Sequence, residues 1–217
     1  MINAVIIVFG FILLLGLLYY EKKEDRKPLL IVKCILSLLF VITALLQLHP
    51  VPAYYHYLFV GLISCLIGDV CLALPQKKGF MVGLVAFLVG HVLYICSFSS
   101  LTQIYYWISA WLFIFFCMSA LIFLWLRPHL ESMLIPVLLY SLVITVMVSG
   151  AWGVFWTSSF QISGRVFILV GSLCFYFSDV LVARDKFIKE EYRNRVLGLP
   201  LYYTGQFMLA FSVGLLK

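Results

Sequence analysis

Charge is what this sequence has least of: 11% of its 217 residues are Asp, Glu, Lys or Arg, against roughly a quarter in a soluble domain. So little charge cannot cover a water-exposed surface. Several motifs are missing as well. There is no His-Glu-x-x-His, no Gly-x-Ser-x-Gly and no glycine-rich nucleotide loop, which argues against zincin, serine-hydrolase and nucleotide-binding chemistry. The six cysteines, Cys34, Cys65, Cys71, Cys96, Cys117 and Cys174, fall in apolar runs without Cys-x-x-Cys spacing, where thiols act as small hydrophobes. Histidine is scarce too. Of four, only His91 lies inside an apolar run, while His49, His56 and His129 fall in predicted loops. A catalytic zinc takes three protein ligands, a number reached only if Asp69 and Asp179 join His91, so no metal or other cofactor is expected.

What is present is apolar: 65% of residues are hydrophobic and mean hydropathy is +1.12. Eight runs of about 20 residues, roughly 2–20, 29–48, 58–74, 80–98, 105–126, 133–154, 163–183 and 199–216, are each long enough to cross a bilayer. The sequence predicts an all-α integral membrane protein, a bundle of eight transmembrane helices forming one polytopic domain over 1–217. The first run has neither a basic leader nor a small-residue cleavage site after it, so it is expected to be a retained helix.

The net charge of +6 does not indicate nucleic acid, because it is distributed by side of the membrane. Twelve of the 15 Lys and Arg residues, from Lys22 to Arg195, lie in loops after odd-numbered runs, against Arg165 and Lys217 on the other side. The positive-inside rule then puts both termini on the non-cytoplasmic side. Loops are short and marked by His49-Pro50-Val51-Pro52, Pro75, Arg127-Pro128 and Thr157-Ser158-Ser159. The longest, 183–198, is expected to be a solvated loop, with an amphipathic turn on the headgroups as the alternative.

Two carboxylates interrupt the apolar runs: Asp69 in CLIGDVCLAL and Asp179 in GSLCFYFSDVLVA. An Asp at the centre of a membrane helix costs roughly 2.5–3.5 kcal/mol, so each needs a partner or a hydrated cavity. Their contexts match. Gly61 and Gly171 stand eight residues ahead of Asp69 and Asp179, and the following runs carry Gly90-His91 and Gly205-Gln206. Two parallel four-helix repeats, 1–104 and 105–217, would leave this pattern, and so would chance recurrence of short apolar motifs.

Counting from the run ends at about 1.5 Å per residue puts Lys33, Asp69, Asp179 and Gln206 at one depth, nearer the cytoplasmic face, with His91 deeper. Tyr202 shares a helical face with Gln206, as Tyr94 does with His91. The expectation is a polar cavity between helices in which Lys33 offsets one carboxylate. Taken singly, Lys33 could snorkel and Tyr202 could belong to the interface belt.

These residues resemble the YhhN-like lysoplasmalogenases. The resemblance runs through Lys27-Pro28-Leu29 with Lys33 beyond, Gly68-Asp69, Gly90-His91-x-x-Tyr94, Ser178-Asp179 and Tyr203-x-x-Gln206. It implies an eight-span enzyme that hydrolyses the vinyl ether of lysoplasmalogens to a fatty aldehyde and glycerophosphocholine or glycerophosphoethanolamine, with the family's two acidic residues at Asp69 and Asp179. Such chemistry protonates the alkene and stabilises an oxocarbenium ion, which paired carboxylates can do. Asp69, offset by Lys33, is expected to be the ionised base or stabiliser and Asp179 the acid, or the reverse. Lys33, His91, Tyr94, Tyr202, Tyr203 and Gln206 would bind and orient the lysophospholipid, and Lys77 or Arg184 would meet its phosphate. The alternative is a proton-coupled transporter using the same aspartates, with Pro136 as its main helix breaker. A third reading has the polar cluster only fixing helix packing.

Overall fold

The computed structural model describes residues 2–74, 77–156 and 160–217; Pro75, Thr157-Ser158-Ser159 and the side chains of Lys77 and Lys78 lie outside the described residues. In hydrocarbon every backbone N–H and C=O must be satisfied within the protein, and a single apolar run of about 20 residues does so by forming a helix. The described residues form α1 (Ile2–Lys23), α2 (Arg26–Leu46), α3 (Pro52–Ala73), α4 (Lys77–Ser99), α5 (Ala110–Leu126), α6 (Leu134–Trp156), α7 (Ile162–Phe187) and α8 (Tyr192–Leu215), with no strand among them. Among the described residues, eight helices are long and apolar enough to cross a membrane. The chain is an all-α, multi-pass integral membrane protein. Apolar side chains such as Val5, Phe9 and Ile12 stand exposed on the outside of the bundle, where hydrocarbon replaces water.

Two boundaries differ from the sequence expectation. The fifth helix begins at Ala110 rather than near residue 105, because Ile104–Trp107 form a separate 3-10 turn whose Trp107 is buried against Gly150 and Gly153 of α6. The eighth begins at Tyr192, so the expected 183–198 loop shrinks to the four residues between Phe187 and Tyr192. Its charges pair with one another. Arg184 reaches Glu191 at 3.1 Å and Asn194, Lys189 reaches Glu191 at 2.6 Å, and Arg195 engages Asp185 at 3.3 Å, Glu21 of α1 at 3.1 Å and Glu190.

Two antiparallel pairs, α3 with α4 and α7 with α8, pack backbone to backbone. A Cβ added to Gly61 would sit 3.3 Å from the Gly90 carbonyl oxygen; one added to Gly205 would sit 2.7 Å from that of Gly171. Glycine is what permits this approach. Around these pairs, α2 packs on α3 and α8, while α6 packs on α7 and α4. Asp69 therefore stands among α2, α3 and α8, and Asp179 among α6, α7 and α4.

Candidate active site

Asp69 is 2% exposed, and partners cover both of its oxygens. Lys33 Nζ lies 3.4 Å from Oδ1, while the hydroxyls of Ser37 and Tyr202 each donate to Oδ2 at 2.6 Å. Lys33 is buried in this ion pair rather than snorkelling. Ser37 sits one turn beyond Lys33, so one face of α2 supplies both groups. Its only hydroxyl proton goes to Asp69; the Tyr203 hydroxyl, 3.2 Å from Ser37 Oγ, therefore donates to it. Behind Tyr202 the network continues. Gln206 Nε2 donates to the Tyr202 hydroxyl at 3.2 Å, Gln206 Oε1 accepts from Tyr94 at 2.8 Å, and Cys65 Sγ lies 3.6 Å from the Tyr94 oxygen.

Asp179 is held differently. The Tyr140 hydroxyl donates to its Oδ2 at 2.6 Å, and His91 Nε2 lies 2.8 Å from the Tyr140 oxygen and 3.3 Å from the same Oδ2. Because Tyr140 spends its proton on Asp179, the network assigns the N–H to Nε2 of His91, leaving Nδ1 facing the Met147 sulfur at 3.2 Å. No hydrogen bond reaches Oδ1 of Asp179 among the described residues, and its side chain is 18% exposed.

Both carboxylates line one cavity of about 1330 Å³. Its mouth lies among the ends of α1, α2, α7 and α8 that carry Lys22, Arg26, Lys186 and Arg195, and an apolar arm runs past Ile122, Leu126, Val137 and Ile144. Aromatic rings separate the carboxylate clusters. Phe175 is 4.6 Å from the His91 ring and 5.2 Å from that of Tyr202, and Phe87 is 6.2 Å from Phe175 and 5.9 Å from Tyr202.

The site residues expected from sequence thus fall into two networks rather than one. Lys33, Asp69, Asp179 and Tyr202 line the cavity, while His91, Tyr94, Tyr203 and Gln206 stand behind the lining, bonded to or packed on it. Among the described residues, Asp69, Asp179 and His91 do not converge as a set of metal ligands. Arg184 is committed to Glu191 and Asn194, and Lys77's side chain lies outside the described residues. Sequence reasoning passed over Ser37, Tyr140 and Phe87. Ser37 could have been found from its helical spacing to Lys33, and Tyr140 from its phenol in the first half of an apolar run.

Fold and site define a class: a multi-pass membrane protein with two intramembrane carboxylates lining one cavity at its basic end. The model of the YhhN family matches residues 29–213, a stretch holding both networks, and the chain belongs to that family. It is similar to rat lysoplasmalogenase TMEM86B (27% identical, covering 73% of this chain and 62% of the relative) and to mouse lysoplasmalogenase TMEM86B (30%; 72% and 63%). It is also similar to a lysoplasmalogenase of Mycobacterium bovis (26%; 77% and 63%). The chain thus spans less than two thirds of the length of these relatives. No solved structure matches it.

Proposed function

We propose that this chain is a lysoplasmalogenase-type hydrolase that cleaves the vinyl ether of a lysophospholipid to a fatty aldehyde and a glycerophospho-headgroup. The observation that carries the reading is the unequal partnering of two carboxylates on one cavity. A carboxylate accepting at both oxygens has the bonding pattern of the ionised form, and Asp69 has it. Asp179 keeps one oxygen open to the cavity, where it can hold and deliver a proton.

In this mechanism Asp179 gives its proton to the alkene carbon beta to the ether oxygen, and the electron pair of the double bond forms the new C–H bond. The oxocarbenium ion left behind faces Asp69 through Tyr202, and the negative charge stabilises it. Water adds to the carbon next to oxygen and returns a proton to Asp179. The hemiacetal then collapses to the aldehyde and the glycerol hydroxyl, with no electrons gained or lost. Tyr202 and Lys33 face the substrate, His91, Tyr94, Tyr203 and Gln206 bind it through the side chains they hold, and the apolar arm takes the alkenyl chain.

Purified protein offered a lysoplasmalogen and the matched lyso-acyl lipid should release aldehyde from the first and no fatty acid from the second. In heavy water that aldehyde should carry one deuterium on the adjacent carbon. Aldehyde without enzyme-dependent deuterium, or only with oxygen present, contradicts acid catalysis. The transporter alternative predicts flux in sealed liposomes without consumption of substrate.

The basic ends of the helices support an orientation with the mouth on the cytoplasmic side and both termini opposite. A cysteine at Lys23 or Arg193 should then resist an impermeant reagent in intact cells. The matched glycine-paired helices and crossed packing also support two parallel four-helix repeats over 1–104 and 105–217. Reassembly of the halves expressed as separate chains is the corresponding test.

A further inference from the structure

We propose that Lys186 forms the subsite for the phosphate of the single-chain lipid, an inference that rests on the vinyl ether reading for where the reacting bond lies. Lys186 is seven residues beyond Asp179 on α7, two turns along the same face and about 10.5 Å down the axis. Both residues line the cavity. Seven covalent bonds separate phosphorus from the alkene carbon that Asp179 protonates in such a lipid, roughly 8–9 Å extended at about 1.5 Å per bond. The flexible four-carbon stem of the lysine can cover the difference between that span and the axial spacing.

Elimination supports the same residue. Of the other cations where α7 meets α8, Arg184 and Lys189 are committed to Glu191 and Arg195 to Glu21, Asp185 and Glu190, while Arg193 is not among the residues lining the cavity. Lys186 has no carboxylate partner among the described residues. Its ammonium rests 4.8 Å from the ring centroid of Phe80, which packs at 6.0 Å against Phe187. A ring face steers the ammonium while leaving its N–H donors for an anion. Lys22 and Arg26 also line the cavity, but they come from α1 and α2, on the side of Lys33 and Asp69.

The test measures binding by the whole protein of a non-cleavable saturated ether lipid, 1-alkyl-glycerophosphoethanolamine, against phosphate-free 1-alkylglycerol. Lys186→Gln should weaken the phospholipid by about 10-fold, the scale of one charge-assisted hydrogen bond, and leave the alkylglycerol unchanged. Lys186→Arg should restore most of the affinity. Equal loss for both lipids, no loss for either, or a loss carried by Arg26→Gln in place of Lys186→Gln would overturn the assignment. With the corresponding vinyl ethers the variant should raise KM for the phospholipid alone and keep kcat. A wild-type protein that consumes neither vinyl ether defeats the hydrolase reading, while the binding comparison still judges the subsite.

Discussion

Asp69 and Asp179 occupy matched positions on matched helices, yet one is sealed and the other open. Asp69 is closed in by an ammonium and two hydroxyls, whereas Asp179 has a phenol and an imidazole on one oxygen and the cavity on the other. A buried charge with both oxygens engaged serves as a fixed part of the field. One with an open edge can exchange a proton with a ligand. Similar sequence contexts thus became different chemical environments through what α2 and α8 offer on one side and α6 and α4 on the other.

The sharpest way to break this comparison is Asp179→Asn. It should lower turnover by about 10²–10⁴-fold, the scale of a lost general acid, while the detergent melting temperature stays near wild type. Asp69→Asn should cost activity and stability together. It leaves the Lys33 ammonium buried without a counter-charge, worth about 3–5 kcal/mol, and adding Lys33→Met should recover much of the stability and little of the turnover. Equal stability losses in the two single variants would erase the distinction between sealed and open carboxylates.

A smaller effect sharpens the comparison on the open side. Tyr140→Phe keeps the ring on His91 but removes the hydroxyl between His91 and Asp179, and turnover should fall about 10-fold, the scale of one hydrogen bond to a charged group. Gly205→Ala forces a Cβ to within 2.7 Å of a backbone oxygen and should destabilise by about 1–3 kcal/mol. Gly198→Ala on the same helix, where the nearest side-chain atom is 3.5 Å away, should be tolerated; thermal melts separate the two.

The smallest effect belongs to the α7–α8 connection. Hydrogen bonds from Lys189 and then Arg184 hold the Glu191 carboxyl below its ordinary value of 4.5. The stability it contributes is therefore complete above pH 4.5 and lost as pH falls through the lowered folded value. Glu191→Gln should change the melting temperature against pH only in that acid window.

The eight helices were legible because hydrocarbon leaves an apolar run no other structure to form, and Asp69 and Asp179 because charge inside such runs demands an explanation. Lys33 was legible as a counter-charge, since its depth could be counted from the end of α2. The split into two networks was not. Depth places residues along the membrane normal, but Phe87 and Phe175 divide the carboxylate clusters laterally, and lateral order comes from helix packing that leaves no period in the sequence. Tyr140 was missed for a related reason: a phenol in an apolar run reads as packing until a partner helix brings Asp179 to it. Trp107 turned the expected start of α5 into a separate 3-10 turn because two glycines of a distant helix make room for its indole.

Infrared difference spectroscopy of the carboxyl groups tests the division of roles most directly. Binding of the vinyl ether lipid should change the carboxyl stretch of the acid that meets the alkene, giving a difference band absent from Asp179→Asn and retained in Asp69→Asn. A band that survives Asp179→Asn and vanishes in Asp69→Asn would reverse the assignment and contradict the account.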